Sequence, residues 1–512
     1  MNELVKQKKK KTVKPNQLKE YMHIFVKSMI VNPSFDSQSK ETLTTLVPKF
    51  GSRCDLDDKF IDKVYKCGII DNAIKLSDFQ EEKALSSKLD AKKKVRVVVQ
   101  NLDDANKAGT KESDKCTLIL TEGLSAKTMA ISGLSEIGRD YWGIYSLRGK
   151  ILNVKDAPIK KIAENEEIAN LMKIIGLEVG KTYTSLVSLR YGKIMILTDQ
   201  DVDGSHIAGL LMNLFASMWP SLSQIGFIIR MITPIVKVTK GSQVKSFYNL
   251  TDYEDWKKTD TRGWSIKYYK GLGSSCSKEA KEYFRNMNLV KYNWTDKSEK
   301  AIDLAFNKKR ADDRKKWLGG YNRNNILDYV DPEVSFEEFI HKELIHFSNS
   351  DLERSIPSIM DGFKESQRKI FYACIKKKLT SEIKVAQLAG YVSEHTAYHH
   401  GEVSLQQAIV NMAQRYVGSN NINLLVPSGQ FGTRVHNGRD AAASRYIFTY
   451  LSDIVKFIFK EDDFAVLNYL DDEGLSIEPE YYVPILPMVL INSICGIGSG
   501  YSTTIPSYDP RD

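Results

Sequence analysis

The chain has little that would suit a membrane or an oxidising compartment. No apolar run is long enough to cross a bilayer, and the most apolar stretch, from Val483 to Ile497, is broken by Pro484 and Pro487. No signal-peptide pattern follows Met1. Membrane roles are therefore set aside. The cysteines stand apart at positions 54, 67, 116, 276, 374 and 495 with no C-x-x-C pair, which argues against both a zinc ribbon and a disulfide framework and points to a reducing, intracellular setting. Two familiar signatures are incomplete. Gly176-Leu177-Glu178-Val179-Gly180-Lys181-Thr182 is one residue too short between its glycines for a P-loop, whose N–H groups must curl round a phosphate, so a turn is expected there. Gly123-Leu124-Ser125-Ala126-Lys127 lacks the last glycine of a hydrolase nucleophile elbow.

What is present is a chain of 512 residues, 42% hydrophobic, enough for several domains with buried cores. The net charge of +9 is modest, but basic residues bunch at Lys8 to Lys11, Lys92 to Arg96, Lys308 to Lys316 and Lys376 to Lys378. Any one bunch reads as a solvated face; several flanking a cation-binding crevice favour a nucleic-acid partner, held by salt-sensitive phosphate contacts.

The most informative segment is Asp199-Gln200-Asp201-Val202-Asp203-Gly204, placed just after the apolar run Ile194 to Leu197, where a buried strand would end. Three alternating carboxylates repel one another unless a cation neutralises them, and hard oxygen donors select Mg²⁺ or Ca²⁺. An EF-hand would need Glu at its twelfth position, which is Leu210. An acidic turn without metal is the other reading. Upstream, Cys116 to Leu120 reads as a second buried strand, followed by Glu122, a glycine and an apolar helical pattern. Functional groups gather at the carboxyl ends of strands in open α/β sheets, so Glu122 and the aspartates would share one crevice if their strands are neighbours.

Glu122-Gly123-Leu124-Ser125-Ala126, followed by the Asp-x-Asp-x-Asp-Gly segment, resembles the TOPRIM domain of type IIA DNA topoisomerases. Leu147-Arg148-Gly149-Lys150-Ile151-Leu152-Asn153-Val154, Tyr269-Lys270-Gly271-Leu272-Gly273 and Tyr191-Gly192-Lys193 are similar to further motifs of the eukaryotic-type enzyme, and the likeness spans nearly the whole chain. It implies an α/β and α+β multidomain fold: a TOPRIM Rossmann-like parallel sheet followed by a winged-helix (helix-turn-helix) domain. Helical patterns over 336–347, 367–378, 385–394 and 405–416 suit the second part. The implied organisation is the end of a transducer over 1–50, a linker over 51–110, TOPRIM over 111–300, a connector over 301–340, the winged helix over 341–505 and the start of a truncated tower over 506–512.

The resemblance also implies the site residues. Tyr446, in Gly438-Arg439-Asp440-Ala441-Ala442-Ala443-Ser444-Arg445-Tyr446, stands where the family has its nucleophile. Residues alone could not single it out among 25 tyrosines. A free phenol titrates at about pH 10, so attack needs positive charge and a proton acceptor nearby, for which Arg445 and His400 are the candidates. Glu122, Asp199, Asp201 and Asp203 would hold Mg²⁺, two ions per active site. Arg148, Lys150, Lys270, Arg354, Lys364, Arg368, Lys369, Asn411 and Gln414 carry over as DNA-proximal, and Ile497, between Gly496 and Gly498, as a wedge between base pairs. Gln38 and Lys40 resemble the loop that senses ATP in the full enzyme.

The implied reaction is a reversible transesterification that leaves a 5′-phosphotyrosyl link in each strand of duplex DNA, in a homodimer whose tyrosine and carboxylates come from opposite protomers. The ATPase and exit-gate regions are absent from this chain, so the expectation is a cleavage and religation core without ATP-driven strand passage. Another TOPRIM enzyme, nuclease or primase, and an inactive DNA-binding module stay open as alternatives. Leu124 replaces the family's Asp in Glu-Gly-Asp-Ser-Ala, Ser146 its Pro before Leu-Arg-Gly-Lys, and Ser444 the Pro before Arg-Tyr. These departures point to a divergent lineage, nuclear if cellular, or resident in a virus factory, virion or host cell if viral.

Overall fold

The computed structural model describes residues 97–511 apart from 260, 330 and 473, together with 18, 22, 24, 25, 27, 29–35, 43–53, 56–71 and 74. Gln38, Lys40 and the basic runs at 8–11 and 92–96 lie outside these residues. The chain divides into two compact units, one comprising Met1–Lys92 with Ala157–Lys181, the other Lys93–Asp156 with Thr182–Asp512. Among the described residues no helix is long and apolar enough to cross a membrane.

In the first unit, helix Asp58–Lys66 is capped by the Asp57 carboxylate, and helix Glu166–Ile175 by the Asn165 side chain. The second of these ends at Gly176, which adopts the left-handed conformation (φ +82°). The glycine of the P-loop-like segment thus closes a helix instead of opening one, and the turn expected there is what forms.

The second unit is organised by a seven-stranded sheet in the order β1-β3-β2-β4-β5-β9-β10. Its strands are β1 (Leu102–Asp103), β2 (Thr117–Glu122), β3 (Trp142–Leu147), β4 (Lys193–Leu197), β5 (Ile228–Met231), β9 (Leu289–Asn293) and β10 (Glu333–Ser335). The central four, β3-β2-β4-β5, are mutually parallel. Helices on both faces bury them, so they read as continuous apolar runs: every residue of β2 up to Thr121 is buried, and so is Ile194 to Leu197. The expected parallel sheet is mixed at its margins, because β1 runs antiparallel to β3 and β9 antiparallel to β5, while β10 lies parallel to β9. Helix Gly123–Ile137 follows β2, and helix Val202–Met218 follows β4.

A small antiparallel sheet, β7-β6-β8, joins β6 (Val236–Lys240), β7 (Gln243–Phe247) and β8 (Ser265–Tyr268) over the aromatic cluster of Phe247, Tyr253, Trp256, Trp264 and Tyr268. Beyond helix Ile345–Ser355, helices Glu365–Lys376, Val385–Thr396 and Glu402–Ala413 share one core with the antiparallel sheet β11-β13-β12 (Ile383–Lys384, Phe448–Leu451 and Leu425–Ser428). Phe371, Val392, Leu405, Ile409 and Ile447 meet there. Two hairpins complete the unit: β14 (Tyr469–Asp472) with β15 (Leu475–Pro479), and β16 (Ile494–Ile497) with β17 (Ser502–Ile505).

The packing of helix Gly123–Ile137 against helix Ser277–Arg285 depends on one absent side chain. A Cβ on Gly133 would lie 2.1 Å from Cδ2 of the buried Phe284 ring. In an open helix Gly→Ala gains about 0.5–1 kcal/mol, whereas overpacking a filled core costs about 1–3 kcal/mol. Gly133→Ala is therefore expected to lower stability by about 1–2 kcal/mol. Gly390→Ala, in a helix where nothing lies within 4 Å of the new methyl, should raise it by about 0.5–1 kcal/mol. Urea denaturation of the two variants checks the opposite signs.

Candidate active site

Strands β2 and β4 are adjacent and parallel, with Thr121 opposite Leu197, so Glu122 and Asp199 leave the sheet at the same edge. The turn that follows β4 is tightly specified. Asp201 caps helix Val202–Met218 by accepting from the Gly204 N–H at 2.7 Å, and a Cβ on Gly204 would lie 2.0 Å from the Asp199 carbonyl oxygen. Asp199 Oδ1 accepts from the Leu272 N–H at 2.7 Å. That contact needs Gly271, whose φ of +132° few other residues adopt and whose Cβ would sit 2.6 Å from Asp199 Oδ2. The Tyr269-to-Gly273 segment is thus a backbone cradle for one aspartate.

Beneath the turn lies a buried network that sequence reasoning missed. The Ser205 hydroxyl reaches the Asp201 carbonyl at 3.0 Å and also bonds the carboxylate of Glu343. Glu343 in turn pairs with fully buried Arg230 of β5 and accepts from Tyr329. Glu343 sits in a single π-helical turn, Ile340–Leu344. Such turns recur at functional sites, but the 3.6-residue apolar pattern of 336–347 gave no sign of this one.

The four carboxylates are not electrostatically equivalent. Burial, then Asp199, Asp201 and Asp203, pushes the Glu122 carboxyl up to about 7. Burial also raises Asp199, against the opposing Leu272 N–H. Asp203 suffers the same desolvation, but hydrogen bonds from Arg354 and then Lys150 outweigh it and hold the carboxyl down at about 2. Lys150 Nζ lies 2.6 Å from Oδ1, and Arg354 Nη1 lies 2.8 Å from Oδ2.

Among the described residues no three carboxylate, histidine or cysteine side chains are gathered closely enough to hold a metal ion together. The donor set nevertheless fits a hard divalent cation, since it is all oxygen and the repulsion on Glu122 is what such an ion would relieve. In this conformation Asp199 and Asp201 are turned to N–H groups, and Asp203 to two cations.

Tyr446 is 66% exposed, with the Arg445 guanidinium 4.7 Å from its ring centroid. Its loop is braced from behind. Asp440 accepts from the Thr433 N–H and hydroxyl, and the Gln414 amide donates to the carbonyls of Phe431 and Gly438. His400 lies 3.4 Å from Arg354, and burial together with that guanidinium lowers its pKa. Ile497, 75% exposed, ends β16. The glycines beside it pack on helix Ile345–Ser355: a Cβ would lie 2.5 Å from the Ser355 oxygen at Gly496, and 2.8 Å from Leu352 at Gly498. Among the described residues no hydrogen bond or ion pair joins Tyr446 to the four carboxylates of the same chain.

Of the residues expected near DNA, Arg148, Lys150, Lys270 and Asn411 are exposed, and Lys364 and Arg354 partly so. Three need correction. Arg368 is buried and bonded twice to Asp361, and Lys369 is buried against Glu478 and the Thr396 carbonyl. Buried cations are kept for their internal partners, so this pair supports the domain from within and does not face a phosphate. Gln414 is likewise buried, and its amide is spent on the loop that carries Tyr446.

Three families match the chain in succession: the Toprim domain over residues 117–232, the C-terminal associated domain of TOPRIM over 231–352, and the A-type subunit of DNA gyrase/topoisomerase IV over 354–512. DNA topoisomerase 2 of Arabidopsis thaliana is 52% identical, over 99% of this chain and 35% of that protein. The chain belongs to the eukaryotic-type DNA topoisomerase 2 family. Rattus norvegicus DNA topoisomerase 2-alpha is 50% identical, over 100% of this chain and 35% of its own length. The crystal structure of the Plasmodium falciparum topoisomerase II DNA-binding, cleavage and re-ligation domain superposes with a TM-score of 0.71 at 51% identity, covering 82% of this chain and 58% of that one. The chain spans about a third of the length of the curated topoisomerase 2 relatives it matches. Toprim membership and these relatives imply dependence on a divalent metal.

The state of Glu122 gives a test that needs no DNA. A carboxyl raised to about 7 in the folded chain destabilises it as pH climbs from the unfolded pKa of about 4.3 through 7. Glu122→Gln should therefore leave the metal-free thermal midpoint unchanged near pH 4.5 and raise it above pH 7.5. After discounting for solvent screening the gain is about 1 kcal/mol, or about 2 °C. Melting curves in chelator at the two pH values check this.

Proposed function

We propose that this chain is the DNA binding, cleavage and religation core of a type II topoisomerase, with helices Glu365–Lys376 to Glu402–Ala413 and β11-β13-β12 acting as its winged-helix domain. The observation that carries the reading is an exposed tyrosine under an arginine, on a braced loop, in the same chain as a desolvated carboxylate pocket that it does not touch. That separation fits a homodimer in which the tyrosine of one protomer serves the pocket of the other.

In the reaction the Tyr446 oxygen attacks a backbone phosphorus of duplex DNA. A phosphotyrosyl bond forms at the 5′ end as the bond from phosphorus to the 3′-oxygen breaks, and the 3′-oxygen leaves as a hydroxyl. His400, kept neutral by burial and by Arg354, is available to take the phenolic proton. Arg445 balances charge on the phosphate, which is most of what phosphoryl transfer demands. One diester replaces another, so the reverse step religates the strand. Glu122, Asp199, Asp201 and Asp203 would hold Mg²⁺, two ions per site, whose contribution when bound is Lewis-acid stabilisation of the departing 3′-oxygen. Arg148, Lys150, Lys270, Lys364 and Asn411 line the DNA path, and Ile497 enters the base stack. ATP, sensed through Gln38 and Lys40, and a nuclear location belong to the full-length enzyme.

Denaturing capture of protein linked to 5′ DNA ends, in the presence of Mg²⁺, tests the reading. The native chain should form the adduct, Tyr446→Phe should reduce it to background, and Asp201→Ala should lower it about 100-fold. Cleavage that leaves free 5′-phosphates and is indifferent to Tyr446→Phe would instead assign the pocket to a nuclease.

A further inference from the structure

The Asp203 carboxylate faces two cations from opposite directions in the chain, Lys150 from the loop after β3 and Arg354 from the last turn of helix Ile345–Ser355. The carboxylate attracts both, but two positive side chains converging on it repel each other, a cost that a further attraction offsets. Phe347 supplies it. Lys150 Nζ lies 5.0 Å and the Arg354 guanidinium 5.8 Å from the centroid of its ring, both within reach of the negative π face. The ring is 5% exposed and stacks on His206 at 3.8 Å, with 19° between the planes, so its orientation is fixed from behind.

A divalent ion approaching the pocket competes for Asp203 oxygens already taken at 2.6 and 2.8 Å. A nucleic-acid phosphate, however, attracts the same ammonium and guanidinium. We propose that Phe347 is a positioning residue which holds Lys150 and Arg354 on Asp203, so that the acidic pocket takes a divalent cation poorly until a DNA phosphate draws the two cations away. This rests on the reading of the pocket and its basic surround given under Proposed function. By linkage, DNA must then tighten metal binding by the factor with which metal tightens DNA binding. Phe347 carries no group that could bind a metal or a phosphate; its effect passes through the two cations.

The test uses the full chain carrying Tyr446→Phe, so that binding is read without cleavage, and Mn²⁺ alone as the probe, with free ion measured by electron paramagnetic resonance. The parent should bind Mn²⁺ about fivefold more tightly with a DNA duplex than without. Phe347→Leu, which keeps an apolar side chain in the core, should bind Mn²⁺ about fivefold more tightly than the parent in the absence of DNA and equally in its presence. Equal or weaker DNA-free affinity in Phe347→Leu, with a parental thermal midpoint, overturns the proposal. If that variant unfolds, Phe347→Met, which keeps the side-chain volume but removes the π face, decides by the same criterion. Asp201→Ala separates the two readings. If it leaves DNA-bound Mn²⁺ affinity unchanged, the pocket is not the metal site and both fall; if it abolishes binding while Phe347→Leu changes nothing, only the role of Phe347 falls.

Discussion

The in-register parallel pairing of β2 with β4 brings Glu122 and the Asp199-to-Asp203 turn to one sheet edge, partly out of water. Like charges in such a place must be neutralised, and the surrounding structure does so in three ways. Backbone N–H groups bond Asp199 and Asp201, two cations bond Asp203, and the environment favours a proton on Glu122. These devices explain why the neighbouring motifs contain what they do. Gly271 lets the chain wrap Asp199, Gly204 lets helix Val202–Met218 begin against the Asp199 carbonyl, and Lys150 and Arg354 complete the ring of compensation. A divalent ion would answer the same electrostatic demand with a single charge centre.

What the sequence reveals follows from how local each cause is. The central strands are legible because burial on both faces leaves apolar runs, and the acidic turn because its carboxylates alternate within six residues. The sheet's margins are not. β1 is two residues long and β10 three, too short for any periodicity, and their place is set by pairing with β3 and β9. The charged residues show the same limit. Arg354, Arg368 and Lys369 fall in one stretch of chain, yet Arg354 reaches the acidic pocket while the other two turn inward to Asp361 and Glu478. Nothing local marks Lys369 as buried, since Glu478 arrives from a distant hairpin, whereas Arg368 finds Asp361 seven residues before it. Tyr446 was legible only through its resemblance to a known active-site segment.

The glycines beside two exposed side chains, Ile497 and Tyr446, show close packing of the backbone. Gly496 and Gly498, flanking Ile497, are closely packed on the protein side by helix Ile345–Ser355. Gly438, at φ +73°, lies so close to the Gln414 amide that any side chain would displace it, and Gln414 in turn braces the Tyr446 loop. In both places a close-packed backbone leaves one side chain projecting into solvent, Ile497 in the first and Tyr446 in the second. The small residues therefore act by fixing the frame, which removes conformational freedom from the group it carries.

Rigidity of this kind bears on how the two halves of the site would work together. The tyrosine loop and the carboxylate turn are each held by their own buried supports, Gln414 and Asp440 for one, Ser205, Glu343 and Arg230 for the other. Neither support reaches the opposite element, so each can remain in order while the distance between them changes. The proposed cutting and resealing of a strand would use that independence, since the groups facing the phosphate would keep their geometry while the surfaces bearing them moved apart and returned. Asp203, tied to Lys150 and Arg354, is the one carboxylate already linked to the helix leading into the tyrosine-bearing domain. The Asp199 and Asp201 carboxylates are held instead by backbone N–H groups of their own domain.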